Sequence, residues 1–199
     1  MRNIRRSRGY SYEHALVQRL NTELWNARRL GGSSIGLPDI IAVNNIDAIL
    51  LSIEAKSGTG DALYVPSDQI NRCLQIRDMF SFYKSRHAIL AFKFMRKKRF
   101  KRKGQIVYEQ RKLVEYYKIA DKLDKITDMT MIKCTYQGKT FFIRDSQCIK
   151  LNLPNYTMPF QKVIGSELKN LLRSKSHLKT GRRRTFMSRY SHQLERANG

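Results

Sequence analysis

Between residues 12 and 25, apolar side chains recur at Ala15, Leu16, Val17, Leu20 and Leu24. That spacing is close to 3.6 and predicts an amphipathic helix, with Ser11 as its N-cap. The period then changes. Residues 26–30 are long enough only for a short strand, and Gly31-Gly32-Ser33-Ser34-Ile35-Gly36 reads as a flexible loop. β-branched, apolar runs over 38–43 and 48–55, separated by an Asn44-Asn45 turn, predict two strands, and 63–65 a third. Helical spacing returns from Ser67 to about Lys84, with Ile70, Leu74, Ile76, Met79 and Phe80 on the apolar side and Cys73, Phe82 and Tyr83 widening it. Residues 88–94 read as a buried strand and 112–119 as another. The α-β-β-β-α-β-β order predicts an α/β protein with a mixed sheet flanked by helices.

Beyond Ala120 the pattern weakens. Residues 131–136 and 139–144 around Gln137-Gly138 predict a hairpin, either extending the sheet or standing as a small addition. One modest helix is expected over 166–172, followed by a basic stretch of low hydrophobicity expected to be mobile unless bound. The predicted organisation is a first domain over 1–120 with a basic insertion at 95–112, a β-rich extension over 121–165 and a basic tail over 166–199.

Charge changes the picture most. The 199 residues hold 39 Lys and Arg against 16 Asp and Glu, a net charge of +23. Such an excess strains a compact chain unless a polyanion compensates it, which makes nucleic acid the leading partner and an anionic membrane surface the second. No apolar run approaches the roughly 18 residues that cross a bilayer, and no hydrophobic stretch follows the arginine-rich start, so no membrane span or secretory signal is expected. Cys73, Cys134 and Cys148 lack CxxC spacing and read as reduced, buried thiols of an intracellular protein. The first 94 residues carry 13 basic against 8 acidic side chains, the remainder 26 against 8. The sharpest run is Arg96, Lys97, Lys98 and Arg99, then Lys101, Arg102 and Lys103 around Phe100. It lies between two predicted strands and so reads as a hairpin arm or loop gripping phosphates, with affinity but no sequence information.

The candidate chemistry sits on the second and third predicted strands. Asp39 follows Pro38 at a strand start, and Glu54-Ala55-Lys56 lies on the neighbouring strand. Residues two apart on a strand share a face, roughly 6–7 Å from each other. One carboxylate and a carboxylate–ammonium pair therefore converge. An isolated Glu-x-Lys is most often a salt bridge on a wet face; following Pro-Asp in a basic chain it is more specific. Hard Mg²⁺ takes oxygen ligands, which Asp39, Glu54 and the Ala55 carbonyl would supply. Two such ions can stabilise both the attacking and the leaving oxygen of a phosphodiester. Lys56 would position or deprotonate the attacking water, or neutralise transition-state charge. Glu13, on the first helix, is a further acidic candidate.

Asp39, Glu54 and Lys56 match the PD-(D/E)xK nuclease signature, and the first 94 residues resemble an archaeal Holliday-junction resolvase. The likeness runs through Arg8-Gly9-Tyr10-Ser11-Tyr12-Glu13, Arg29-Leu30-Gly31-Gly32-Ser33, Leu37-Pro38-Asp39-Ile40-Ile41-Ala42, Ile53-Glu54-Ala55-Lys56, Leu63-Tyr64-Val65 and Ala91-Phe92-Lys93-Phe94. The resemblance implies a restriction-endonuclease-like fold, with a basic C-terminal extension here. It also implies a homodimer making paired symmetrical nicks in a four-way junction with Mg²⁺, Mn²⁺ substituting. Its setting would be recombination and repair, in the cytoplasm and at the nucleoid. By position, Glu13, Asp39 and Glu54 would be metal-site acids and Lys56 the catalytic lysine. Arg8 would contact DNA, and Arg29 and Ser33 would lie near the scissile phosphate, with Ser34 as the alternative serine. His14 departs from an arginine often found after the helix glutamate; an ordinary helix histidine is the simpler reading. Gln69 falls where many such nucleases place a glutamine near the site, but it is equally a first-turn helix residue. A nuclease for flaps or restriction sites, and a non-catalytic nucleic-acid binder, are the alternative functions.

Overall fold

A computed structural model describes residues 4–30, 36–126 and 128–161, those of 4–8 by backbone alone. The first helix, α1 (Ile4–Leu20), buries Tyr12, Leu16 and Leu20, each one turn after the last. It begins well before the expected residue 12, so Ser11 lies inside it and is not its N-cap. It stops five residues earlier than expected, and Leu24 is half-exposed. The stop has a local cause. The Asn21 side chain accepts from the Ala27 backbone N–H at 2.7 Å and donates to the Ala27 carbonyl at 3.2 Å, taking the place of a strand partner.

The central sheet has the order β1 (Asn26–Arg29), β2 (Ile40–Asn44), β3 (Ile49–Gly58), β5 (Ser85–Phe94) and β8 (Val114–Ile119). β3 and β5 are parallel; the other neighbours are antiparallel. A parallel pair needs a crossover, supplied by β4 (Ala62–Pro66) and α2 (Ser67–Met79). Helix α1 covers one face of the sheet and α2 the other. On the α2 side Ile70, Cys73 and Leu74 join Leu90, Phe92, Phe94, Ile132 and Cys134 in one buried cluster. Each large apolar side chain so buried contributes about 1.5–3 kcal/mol.

Three expectations change. Helix α2 ends at Met79, not near Lys84, because Phe80 leaves helical geometry (φ −92°, ψ 58°). Phe80, Phe82 and Tyr83 therefore form a ring cluster beyond the helix, with Phe82 73% exposed, instead of widening its core stripe. The hairpin β9 (Met131–Thr135) and β10 (Thr140–Arg144) is present, but it pairs with β4 and carries an unanticipated strand, β11 (Gln147–Lys150). These make a second, four-stranded sheet, so the segment expected as an extension belongs with the first 120 residues in one compact unit ending at Tyr156. Finally, Cys148 is exposed, whereas Cys73 and Cys134 are buried as expected. The basic run becomes a ribbon of its own, β6 (Lys97–Arg102) and β7 (Gln105–Gln110). The helix expected at 166–172 and the basic tail lie outside the described residues.

Candidate active site

Pro38 is buried where the chain enters β2, and the Asp39 carbonyl accepts from the Leu30 N–H at 2.8 Å. The register pairs Ile40 with Ile53, so one residue further Asp39 stands opposite Glu54. Its Oδ2 accepts from the Ala55 N–H at 2.8 Å, which fixes the carboxylate against β3. Glu54 is 3% exposed and its Oε1 accepts from Lys56 Nζ at 2.5 Å. Burial pushes the Glu54 carboxyl up to about 7; the Lys56 ammonium works against this and Asp39 adds to it. A buried carboxylate thus stands beside a half-buried one and a partly exposed ammonium.

Strand alternation puts Ser52, Glu54 and Lys56 on the face covered by α2. Cys73 lies above them, its thiol pushed up by burial and further by Glu54, with Ser52 beside it. Helix α2 runs back between two parallel strands and so lies antiparallel to β3. Gln69, one turn before Cys73, is therefore carried toward the Glu54–Lys56 end: about 6 Å along the helix matches two strand residues. Its Oε1 is buried without a hydrogen-bond partner among the described residues.

Glu13 stands apart from this pair. Its Oε2 accepts from Arg29 Nε at 2.5 Å, and the Arg29 guanidinium lies 4.6 Å from the centre of the Tyr10 ring. No group of three or more acidic, His or Cys side chains among the described residues is close enough to hold a metal ion, so Glu13 is not gathered with Asp39 and Glu54. His14 stacks on Tyr10 at 6.1 Å, nearly coplanar, as a surface helix histidine would. Arg8 lies on α1; Ser33 and Ser34 lie outside the described residues.

The basic ribbon is rooted at the end of the strand that carries Glu54 and Lys56. The Met95 N–H donates to the Gly58 carbonyl at 2.8 Å and the Arg99 N–H to the Thr59 carbonyl at 3.1 Å. The residue that fixes this root, Arg111, has no sequence signal, because its partners lie 16 to 51 residues away. It donates to the carbonyls of Met95 and Gly60, each at 2.9 Å, and its guanidinium lies 4.5 Å from the centre of the Tyr136 ring. Lys98 pairs with Asp61 at 2.8 Å, whereas Arg96, Lys97, Arg99, Lys101, Arg102 and Lys103 are exposed.

A mixed sheet bearing an acidic pair and a lysine at one strand end, beside a strongly basic ribbon, suits an α/β nuclease. The family model for archaeal Holliday junction resolvases matches residues 4–139, well over half of the sequence, and the chain belongs to that family. It is thereby a DNA-binding nuclease of the Holliday-junction type. Among solved structures it is similar to a Holliday junction resolvase from the archaeal hyperthermophile Archaeoglobus fulgidus. The two share 23% identity over 50% of this chain and 85% of that one, with a TM-score of 0.37. Comparison with curated protein sequences gives no match. No helix among the described residues is long and apolar enough to cross a membrane.

Proposed function

We propose that the chain is a Mg²⁺-dependent endonuclease that resolves four-way DNA junctions by paired nicks, in recombination and repair. The observation that carries this reading is the meeting of Asp39, Glu54 and Lys56 on adjacent strands in a chain of the resolvase family. The donor set fits a hard divalent cation: a buried carboxylate with its proton affinity raised, Glu54, a half-buried one, Asp39, and a buried amide oxygen on Gln69 carried toward the same end of the strand. Asp39, Glu54 and the Ala55 carbonyl would hold Mg²⁺, or Mn²⁺ in its place. Bound there, such an ion would supply Lewis-acid stabilisation of charge on the phosphate and help ionise the attacking water.

The chain's own residues do the rest. The Ala55 N–H keeps Asp39 aimed at the site, and burial under α2 limits competing water. Lys56, paired with Glu54 at the same strand end, would bring an ammonium to the attacked phosphate or its water. Arg29, at the end of β1 and paired there with Glu13, would offer its guanidinium to a phosphate oxygen. A synthetic four-way junction, a flap and a plain duplex, each with Mg²⁺ or EDTA, test the reading. Metal-dependent paired nicks at the junction branch are expected; equal cutting of all three substrates would instead favour a general PD-(D/E)xK nuclease.

Paired nicks ask for two equivalent sites, hence a two-fold dimer. An apolar surface suited to self-association lies beyond α2: Met79 is 70% exposed, Phe82 73% and Ile46 77%. Tyr83 Oη donates to Asn45 at 2.7 Å, tying the turn that carries Ile46 to the ring cluster. Phe82→Asp is expected to give a monomer in sedimentation and single, unpaired nicks. A variant that remains dimeric and cuts in pairs would remove this surface from consideration.

A further inference from the structure

The two faces of the β6–β7 ribbon differ. The register pairs Lys97 with Gln110, Arg99 with Tyr108 and Lys101 with Ile106 on one face, and Lys98 with Glu109, Phe100 with Val107 and Arg102 with Gln105 on the other. The second face is turned toward the protein in part: Lys98 is tied to Asp61, and Phe100 and Val107 are half-buried. The first face holds no acidic residue, and it exposes Tyr108 (54%) and Ile106 (48%) among its three cations. Tyr108 and Ile106, two residues apart on β7, stand side by side on that face with a cation opposite each.

The ribbon is built to keep its shape. Lys103 and Gly104 both have positive φ (48° and 80°), the geometry of a tight two-residue turn whose twist matches that of the strands. At the other end Arg111 and the Gly58 and Thr59 carbonyls hold its root two to three residues past Lys56, about 7–10 Å at about 3.3 Å each. Six paired positions give an arm of about 20 Å. It therefore projects from the neighbourhood of the Glu54–Lys56 pair over a distance of more than half a turn of duplex.

We propose that the Lys97–Arg99–Lys101 face of this arm is a junction-reading surface, on which the Tyr108 ring stacks against a base left unstacked at the branch point while the three cations hold the flanking phosphates. Stacking on an aromatic side chain needs an exposed base face, which a continuous duplex does not offer and a branch does. Phosphate contacts serve both alike. The two parts of the surface thus divide the work: the cations supply affinity, and Tyr108 supplies preference for branched DNA. Ile106 extends the apolar platform toward the tip.

The assignment rests on the function proposed above, and the test separates the two. The full-length chain is titrated in EDTA, so that nothing is cut, against a labelled four-way junction and a duplex of the same sequence. Tyr108→Ala is expected to weaken junction binding about 10-fold and to leave duplex binding within about two-fold. Tyr108→Phe retains the junction preference. The triple variant Lys97→Ala, Arg99→Ala, Lys101→Ala weakens both substrates together and makes the slope of log affinity against log salt shallower by about 2–3. If the unaltered chain shows no preference for the junction, the proposed function fails and this inference with it. If the preference exists and survives Tyr108→Ala, or if Tyr108→Phe loses as much as Ala, the arm does not read branches by stacking and the inference alone is overturned.

Discussion

Glu54→Gln, Asp39→Asn and Lys56→Met are each expected to lower the single-turnover rate of junction cleavage by about 10²–10³-fold, the two carboxylate changes at the upper end, while leaving junction binding within about three-fold. The size follows from what each removes. Loss of one preorganised electrostatic group commonly costs about 10²–10³ in rate, and the two carboxylate changes also remove a ligand from a site with few to spare. Binding persists because the phosphate-facing cations are elsewhere, on the ribbon and along the basic half of the chain. The substitutions keep the local structure. The amide in Asp39→Asn retains an oxygen to accept the Ala55 N–H, and the thioether in Lys56→Met keeps the apolar part of the lysine stem. Gel-shift and rapid-quench measurements on the same junction check the pair of outcomes. If binding falls as far as cleavage, these residues belong to the DNA-holding surface and not to the reaction. Glu13→Gln is the informative companion, since Arg29 holds that carboxylate in the absence of DNA.

The second large effect is on stability, and its sign is opposite to the usual one for a carboxylate. An ordinary glutamate titrates near 4.5, but the folded chain holds the Glu54 proton up to about 7. Between those values the folded state binds a proton that the unfolded state has lost. Stability without divalent cations therefore falls as pH rises from about 4.5 to 7, by up to about 3 kcal/mol, and stays low above that range. Glu54→Gln removes the ionisation. In EDTA at pH 8 it is expected to unfold up to about 6–10 °C higher than the unaltered chain, and at pH 4.5 at nearly the same temperature. Mg²⁺ at pH 8 should restore much of the difference to the unaltered chain and do far less for the variant, which keeps Asp39 but has lost the second, buried carboxylate. Thermal unfolding followed by circular dichroism at the two pH values, with and without Mg²⁺, distinguishes these cases. Equal pH slopes for both proteins would show that Glu54 is not the group responsible.

Much of this was legible along the chain. The strand pair carrying Asp39 and Glu54-Ala55-Lys56 was, because β-branched runs with a period of two fix which residues share a face, and a turn at Asn44-Asn45 fixes which strands are neighbours. The basic run was also legible, as eight residues with seven cations cannot enter a core. The start of α1 was not. Hydrophobic periodicity is the only signal of such a helix in the chain, and Arg5-Arg6-Ser7-Arg8-Gly9 carries no apolar repeat. Phe82 and Tyr83 misled for the reverse reason: apolar residues at helical spacing imply a buried face only if the backbone stays helical, and it departs at Phe80.

Residue order sets the chemistry available: which carboxylates and which lysine, on which strands, in a chain charged for a polyanion. These follow from residue type and short-range spacing. How those groups are disposed is a matter of the folded arrangement. It buried Glu54 beneath α2, latched Asp39 to the Ala55 N–H, tied Glu13 to Arg29 and set Tyr108 beside Arg99 on a ribbon rooted by Arg111. Desolvation and cross-strand register depend on contacts between residues far apart in the chain, and no local pattern encodes them.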